Sequence, residues 1–205
     1  MATVVYLIRH STPMNNKVNV SNTDSLQIEN EKTPLSVKGE EKAKTLSLKD
    51  EMKNVDLVIS SNYVRAISTA KYIAHQNDKD VIIMNEFNER KYGVDSWDEK
   101  PKNFDQNQIT DKHLKMPNGE SQVEVADRMN KGLIKVLNDN KGKKVVIVSH
   151  ATAITFLLMK LGKYENDTIF FNDEKVIDKS FVWDASEIFK LTFKDNNLVK
   201  IENVR

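Results

Sequence analysis

The chain has 205 residues, long enough for one well-buried core, and its 39% hydrophobic and 30% charged content excludes wholesale disorder. Its 31 Lys and Arg nearly cancel 30 Asp and Glu, which gives no reason to expect general nucleic-acid binding and makes any cationic site local. There is no Cys, so disulfides, thiolate metal sites and cysteine nucleophiles are excluded together.

The first segment, Thr3-Val4-Val5-Tyr6-Leu7-Ile8, is a continuous apolar, β-branched run that suits a central strand covered on both faces. Residues 13–34 are polar, rich in Asn and without period, and read as a loop. A helical pattern over 36–52 carries Ala43, Leu46 and Met52 on its apolar positions, with Ser36 three residues before Gly39. A second strand is expected at 55–59. Residues 64–74 then place Val64, Ile67, Ala70, Ile73 and Ala74 on one helical stripe. A looser strand falls at 81–84. The stretch 85–120 mixes Phe87, Tyr92, Trp97 and Phe104 with many charges, Pro101 and Pro117, and is expected to be an inserted lid with its own small apolar cluster. In that lid Trp97 and Phe104 read as packing residues.

Residues 121–137 predict a helix with Ser121 as N-cap and Glu124 at the capping-box position. A strand at 144–148 leads into an apolar helix over 151–161, with Gly162 as its stop. At the end, 188–193 and 198–204 flank Asp195-Asn196-Asn197 and read as an antiparallel hairpin. Strands alternating with helices imply an α/β fold, a three-layer α/β/α sandwich with a mostly parallel central sheet, an antiparallel edge and the lid, as one domain over 1–205.

In an open parallel sheet, ligands bind beyond the carboxyl ends of the strands. Two of the four His lie at such ends: Arg9-His10 after the first strand, and Ser149-His150 after the strand at 144–148. At a third strand end Ser60-Ser61 leads to Arg65, in the first turn of the next helix. A cation there is disfavoured by the helix dipole unless an anion sits with it. Arg9, Arg65, His10 and His150 would form a cationic pocket whose guanidinium forks match phosphate oxygens. His75 and His113 are expected to be exposed, and the dispersed His offer no metal-ligand spacing.

Leu7-Ile8-Arg9-His10-Ser11-Thr12-Pro13 with Asn16, Thr33-Pro34-Leu35-Ser36-Val37-Lys38-Gly39, Ser60-Ser61 with Arg65-Ala66 and Thr69-Ala70, and Val148-Ser149-His150 occur in order between residue 3 and about residue 160. Together they resemble the histidine phosphatase, or phosphoglycerate mutase-like, superfamily. Asn88-Glu89-Arg90-Lys91-Tyr92-Gly93 and Gly119-Glu120-Ser121 further resemble its cofactor-dependent mutase and small-phosphatase branch. The resemblance implies that His10 attacks phosphorus in line while Arg9, Arg65 and His150 hold the equatorial oxygens. It implies Glu89, in preference to Glu86, as proton donor and later base for water. Asn16, Ser11, Arg90 and Tyr92 are implied as substrate contacts, and no metal is required. The family usually has Gly where Ser11 stands; Ser can still present its N–H to phosphate but tolerates positive φ less well.

Hydrolysis of a small phosphate monoester through phosphohistidine is the expected function, with no cofactor. The alternative is a phosphoglycerate mutase primed by 2,3-bisphosphoglycerate, and a further one is a non-catalytic phospho-ligand or protein-binding member. The mutase resemblance ends soon after Gly93, and 94–108 holds Lys100 and Lys102 but no Arg pair. No run approaches the roughly 18–20 apolar residues of a membrane span, and residues 1–8 are too short for a signal peptide. The expected setting is cytoplasmic, as a monomer or homodimer without membrane or nucleic-acid partners.

Overall fold

A computed structural model describes residues 1–14, 25–178 and 184–204. In chain order the elements are β1 (Thr3–Arg9), α1 (Leu26–Lys32), α2 (Val37–Ser47), β2 (Leu57–Ser60), α3 (Val64–Gln76), β3 (Val81–Ile83), α4 (Phe104–Thr110), α5 (Gln122–Asp139), β4 (Lys144–Ser149), α6 (Ala151–Leu161), β5 (Lys163–Glu165), β6 (Thr168–Phe171), β7 (Glu174–Asp178), β8 (Ile188–Lys194) and β9 (Asn197–Val204).

The central sheet has the order β3-β2-β4-β1-β8-β9. β3, β2, β4 and β1 run parallel, and β8 and β9 complete an antiparallel edge. Alternation along β1 divides its side chains between two cores. Val5 and Leu7 pack with α5 and α6, whereas Tyr6 and Ile8 face Leu46 of α2 and Ala66, Ala70 and Ile73 of α3. A sheet buried on both faces explains why its inner strands read as unbroken apolar runs, and the α/β/α layering follows.

The punctuation is local chemistry. The Ser121 side chain accepts from the N–H of Glu124, whose carboxylate accepts from the N–H of Ser121, so the capping box is complete. The β8–β9 turn puts Asp195 and Asn196 at φ 50° and 63°, the left-handed pair that a two-residue hairpin needs.

Three stretches differ from expectation. Residues 13–34, read as a patternless loop, contain the helix α1. It buries Leu26 and lies against α3, so tertiary contact rather than periodicity stabilises it. Past Gly162, β5, β6 and β7 make a small antiparallel sheet whose turns hold Asn166-Asp167 and Asn172-Asp173, all at positive φ. Ile169, Val176 and Ile177 of this sheet join the α5–α6 core. The helix expected over 36–52 ends at Ser47, with a separate 3-10 turn at Asp50–Met52.

Ser121→Ala should cost about 1 kcal/mol by removing the cap. In urea unfolding the midpoint should fall while the slope is unchanged.

Candidate active site

β1 and β4 pair in parallel with Arg9 opposite Ser149, so the next residue of each strand, His10 and His150, leaves the sheet at the same level. The His10 N–H donates to the Ser149 carbonyl at 2.9 Å, and the two imidazoles meet edge to face with centroids 5.1 Å apart. β2 pairs with β4 on the other side and delivers Ser60, Ser61 and then α3, which carries Arg65.

Hydrogen bonding settles the His10 tautomer. Nδ1 lies 2.6 Å from the Ser11 carbonyl, which can only accept, so Nδ1 carries the proton. Nε2 keeps its lone pair and accepts from Arg65 Nε at 2.9 Å. The same reasoning applies to His150. Its Nδ1 accepts from Arg65 Nη2 at 3.2 Å, so Nε2–H donates to Ser61 Oγ at 2.7 Å. Arg65 is buried; it also donates through Nη1 to the Asn30 carbonyl of α1, and its guanidinium lies over the Tyr63 ring.

These neighbours set the charge states. Burial, then Arg65 and Arg9, holds His10 well below the usual imidazole range, against an opposing contribution from the Ser11 carbonyl. Burial, then Arg65, His10, Arg9 and Arg128, does the same to His150. Both rings are neutral at neutral pH. Burial also lowers Arg9 and Arg65, with Glu89 opposing in each case, and a guanidinium stays charged throughout.

A cavity of about 280 Å³ opens over this cluster, lined by Arg9, His10, Arg65, Glu89 and Tyr92, with Asn30, Thr33 and Met14 on the α1 side. A hollow of about 700 Å³ lined by residues 53–56 and 75–79 lies before the start of β2, at the opposite end of the sheet from His10. Glu89 reaches the same cavity from the segment after β3. Its Oε1 accepts from the N–H of Arg90 at 2.8 Å and of Ala153 at 3.0 Å, and Oε2 from Thr152 at 3.4 Å. The carboxylate thus sits on the N-terminus of α6.

Residues 5–171 match the model of the histidine phosphatase superfamily, branch 1. The chain belongs to that superfamily. Within it, the chain is 28% identical over 162 residues to the "Probable phosphoglycerate mutase GpmB" of Escherichia fergusonii, covering 75% of this chain and 72% of that one. It is 31% identical over 132 residues to the "Uncharacterized phosphatase PhoE" of Bacillus subtilis, covering 63% and 65%. Solved structures share the fold. A mycobacterial glucosyl-3-phosphoglycerate phosphatase superposes with TM-score 0.72 at 17% identity over 99% of this chain and 97% of that one. A phosphoserine phosphatase of Entamoeba histolytica bound to 3-phosphoglyceric acid gives 0.71 at 18% identity over 99% and 98%. No helix among the described residues is long and apolar enough to cross a membrane.

Of the residues that the resemblance to histidine phosphatases singled out, Arg9, His10, Arg65, Glu89 and Tyr92 share the cavity wall. The other described ones lie elsewhere. His150 is fully buried behind Arg65 with both nitrogens engaged, so here it meets the cavity through Arg65 rather than directly. Ser11 adopts no left-handed φ, and its N–H goes to Thr69 Oγ1 at 2.9 Å rather than toward the cavity. Its hydroxyl donates to the Gly39 carbonyl at 2.8 Å. Gly39 is required there because a Cβ would fall 2.0 Å from the Thr12 oxygen. Arg90 is buried, donates to Gln108 and Asp105, and stacks on Tyr92 and Phe104. This guanidinium is the centre of the small cluster expected in 85–120, which is therefore aromatic around a cation rather than purely apolar. Asn16 lies outside the described residues. Glu86 sits against Gly132 of α5, not on the cavity wall, and His75 and His113 are exposed.

Sequence reasoning missed Asn30, Ser61 and Thr69 as partners of the cluster. Only Ser61 and Thr69 left a trace, as polar residues in otherwise apolar settings at a strand end and on a buried helix face.

Because both His are lowered in the folded chain, the unfolded chain binds protons first as the pH falls. Their contribution to stability is therefore complete above about pH 6.5, the ordinary imidazole value, and is lost on acidification below it. Urea midpoints between about pH 7.5 and about pH 5.5 should drop less steeply in a His10→Gln/His150→Gln double variant than in the parent.

Proposed function

We propose that this histidine phosphatase superfamily member hydrolyses a small phosphate monoester through a phosphohistidine on His10. The observation that carries this reading is the His10 ring itself. Its Nδ1–H is locked onto the Ser11 carbonyl, its unprotonated Nε2 accepts from Arg65, and the residue lines a cavity that also holds Arg9, Arg65 and Glu89. A neutral imidazole nitrogen is a competent phosphorus nucleophile, and it needs no deprotonation here.

The steps balance simply. Nε2 forms the N–P bond as the ester P–O bond breaks, and Glu89 supplies a proton to the leaving oxygen. Water then attacks the phosphohistidine, the N–P bond breaks, and Glu89 takes the proton. Arg9 and Arg65 meet the equatorial oxygen charge, the main source of phosphoryl-transfer catalysis. His150 acts through Arg65, whose guanidinium it orients, and Tyr92 closes the leaving-group side. No cofactor takes part.

A phosphoglycerate mutase primed by 2,3-bisphosphoglycerate is the second reading, favoured by the name of the Escherichia fergusonii relative. A mutase must also grip a substrate carboxylate. Among the described residues lining the cavity the cations are Arg9 and Arg65 alone, whereas Arg90 and Lys100 are paired with Asp105. That favours hydrolysis.

Phosphate release should be screened over sugar phosphates, phosphoglycerates, nucleotides and phosphopeptides. Release without added bisphosphoglycerate, abolished in His10→Ala, is the expected result. Retained turnover in that variant overturns the reading, and isomerisation that depends on the primer replaces it with the mutase.

A further inference from the structure

Glu89 lies on irregular chain between β3 and α4, yet a proton donor must be held to within a fraction of an ångström of the leaving oxygen. Its carboxylate is fixed by N–H groups at the start of α6. Something must also fix its backbone.

That support comes from one ion pair. Arg128, on α5, forms a two-pronged contact with Glu120, with Nε to Oε1 and Nη2 to Oε2 both at 2.8 Å. The remaining arm, Nη1, donates to the carbonyls of Glu86 at 2.9 Å and Asn88 at 3.1 Å. Glu120 Oε2 in turn accepts the N–H of Lys91 at 3.0 Å, and the Glu120 N–H donates to the Lys91 carbonyl at 3.0 Å. The chain on both sides of Glu89 is therefore tied to the same pair. Its side chains are only 23% and 17% exposed, so the fork is stronger than a solvated surface pair. One turn along α5, Gly132 lets this segment come close, since a Cβ there would lie 2.6 Å from the Glu86 Cβ.

We infer that Arg128, together with Glu120, is the positioning residue that aims Glu89 at the leaving oxygen. The inference rests on the proposed role of Glu89 as acid. It also gives a task to the Gly119-Glu120-Ser121 motif. Ser121 caps α5, while Glu120 joins that helix to the strand of chain that carries the acid. Neither Arg128 nor Glu120 lines the cavity, so neither touches substrate.

The readout is leaving-group dependence, which general loss of packing would not produce. Nitrophenolate departs with little help, whereas phenolate benefits more from a proton. The values of kcat/KM for p-nitrophenyl phosphate and phenyl phosphate, two esters of nearly equal shape, report the step in which the leaving group departs. Arg128→Met and Arg128→Lys should each lose about 10-fold more on phenyl phosphate than on p-nitrophenyl phosphate, a fraction of what a positioned acid supplies. Lys keeps the charge but cannot form the fork, so it carries the test if the Met variant does not fold. Glu89→Gln on the same two esters separates the failures. No leaving-group dependence in Glu89→Gln overturns the acid role and this inference together. Dependence in Glu89→Gln with equal losses on both esters in the Arg128 variants overturns the positioning role alone.

Discussion

The parallel pairing of β1 with β4, with Arg9 opposite Ser149, fixes where His10 and His150 leave the sheet. A shift of one residue would turn His10 to the other face of the sheet and part it from His150. In the observed register both imidazoles leave the sheet side by side, and α3 brings one guanidinium between them. Burial first, and then the cation shared between them, keeps both rings neutral and accepting from it. The protonation state of His10, the proposed nucleophile, is thus a result of strand register and helix placement.

Arg65 carries much of this arrangement. Its three nitrogens donate to His10, Asn30 and His150, so α1, β1 and β4 are all tied through a single side chain of α3. In the proposed reaction a phosphate oxygen would compete with His10 Nε2 and the Asn30 carbonyl for these donors. In that reaction, removing His150 would act through Arg65, as removing Arg128 would act through Glu89.

Much of the fold was legible because burial on both faces writes itself into the sequence. The apolar runs of β1, β2 and β4, the stripes of α3 and α5, and the Ser121–Glu124 cap all carry local signals. The hairpin at Asp195-Asn196 did too. Asn166-Asp167 and Asn172-Asp173 bear the same kind of turn signal, yet the strands they join are only three to five residues long and two of them, β5 and β7, mix apolar with charged residues, so the second sheet went unread. α1 was invisible for a different reason. It has one buried residue, Leu26, and exists through contacts with α3 rather than through its own period. In the site, His10, Arg65 and Glu89 stand at strand ends or in a recognisable motif. Asn30 contributes a backbone carbonyl, which no side-chain pattern can announce. Arg90, beside Glu89 in sequence, was expected to contact substrate, but the chain sends its guanidinium into the lid cluster.

The account stands or falls on the covalent intermediate. The protein should be mixed with substrate carrying ³²P in the transferable phosphate, quenched within a turnover under alkaline denaturing conditions that spare phosphohistidine, and digested. The label is predicted on the peptide containing His10, bound to Nε2 and released by acid. Label on another residue, or none at any time while phosphate is being formed, would contradict it.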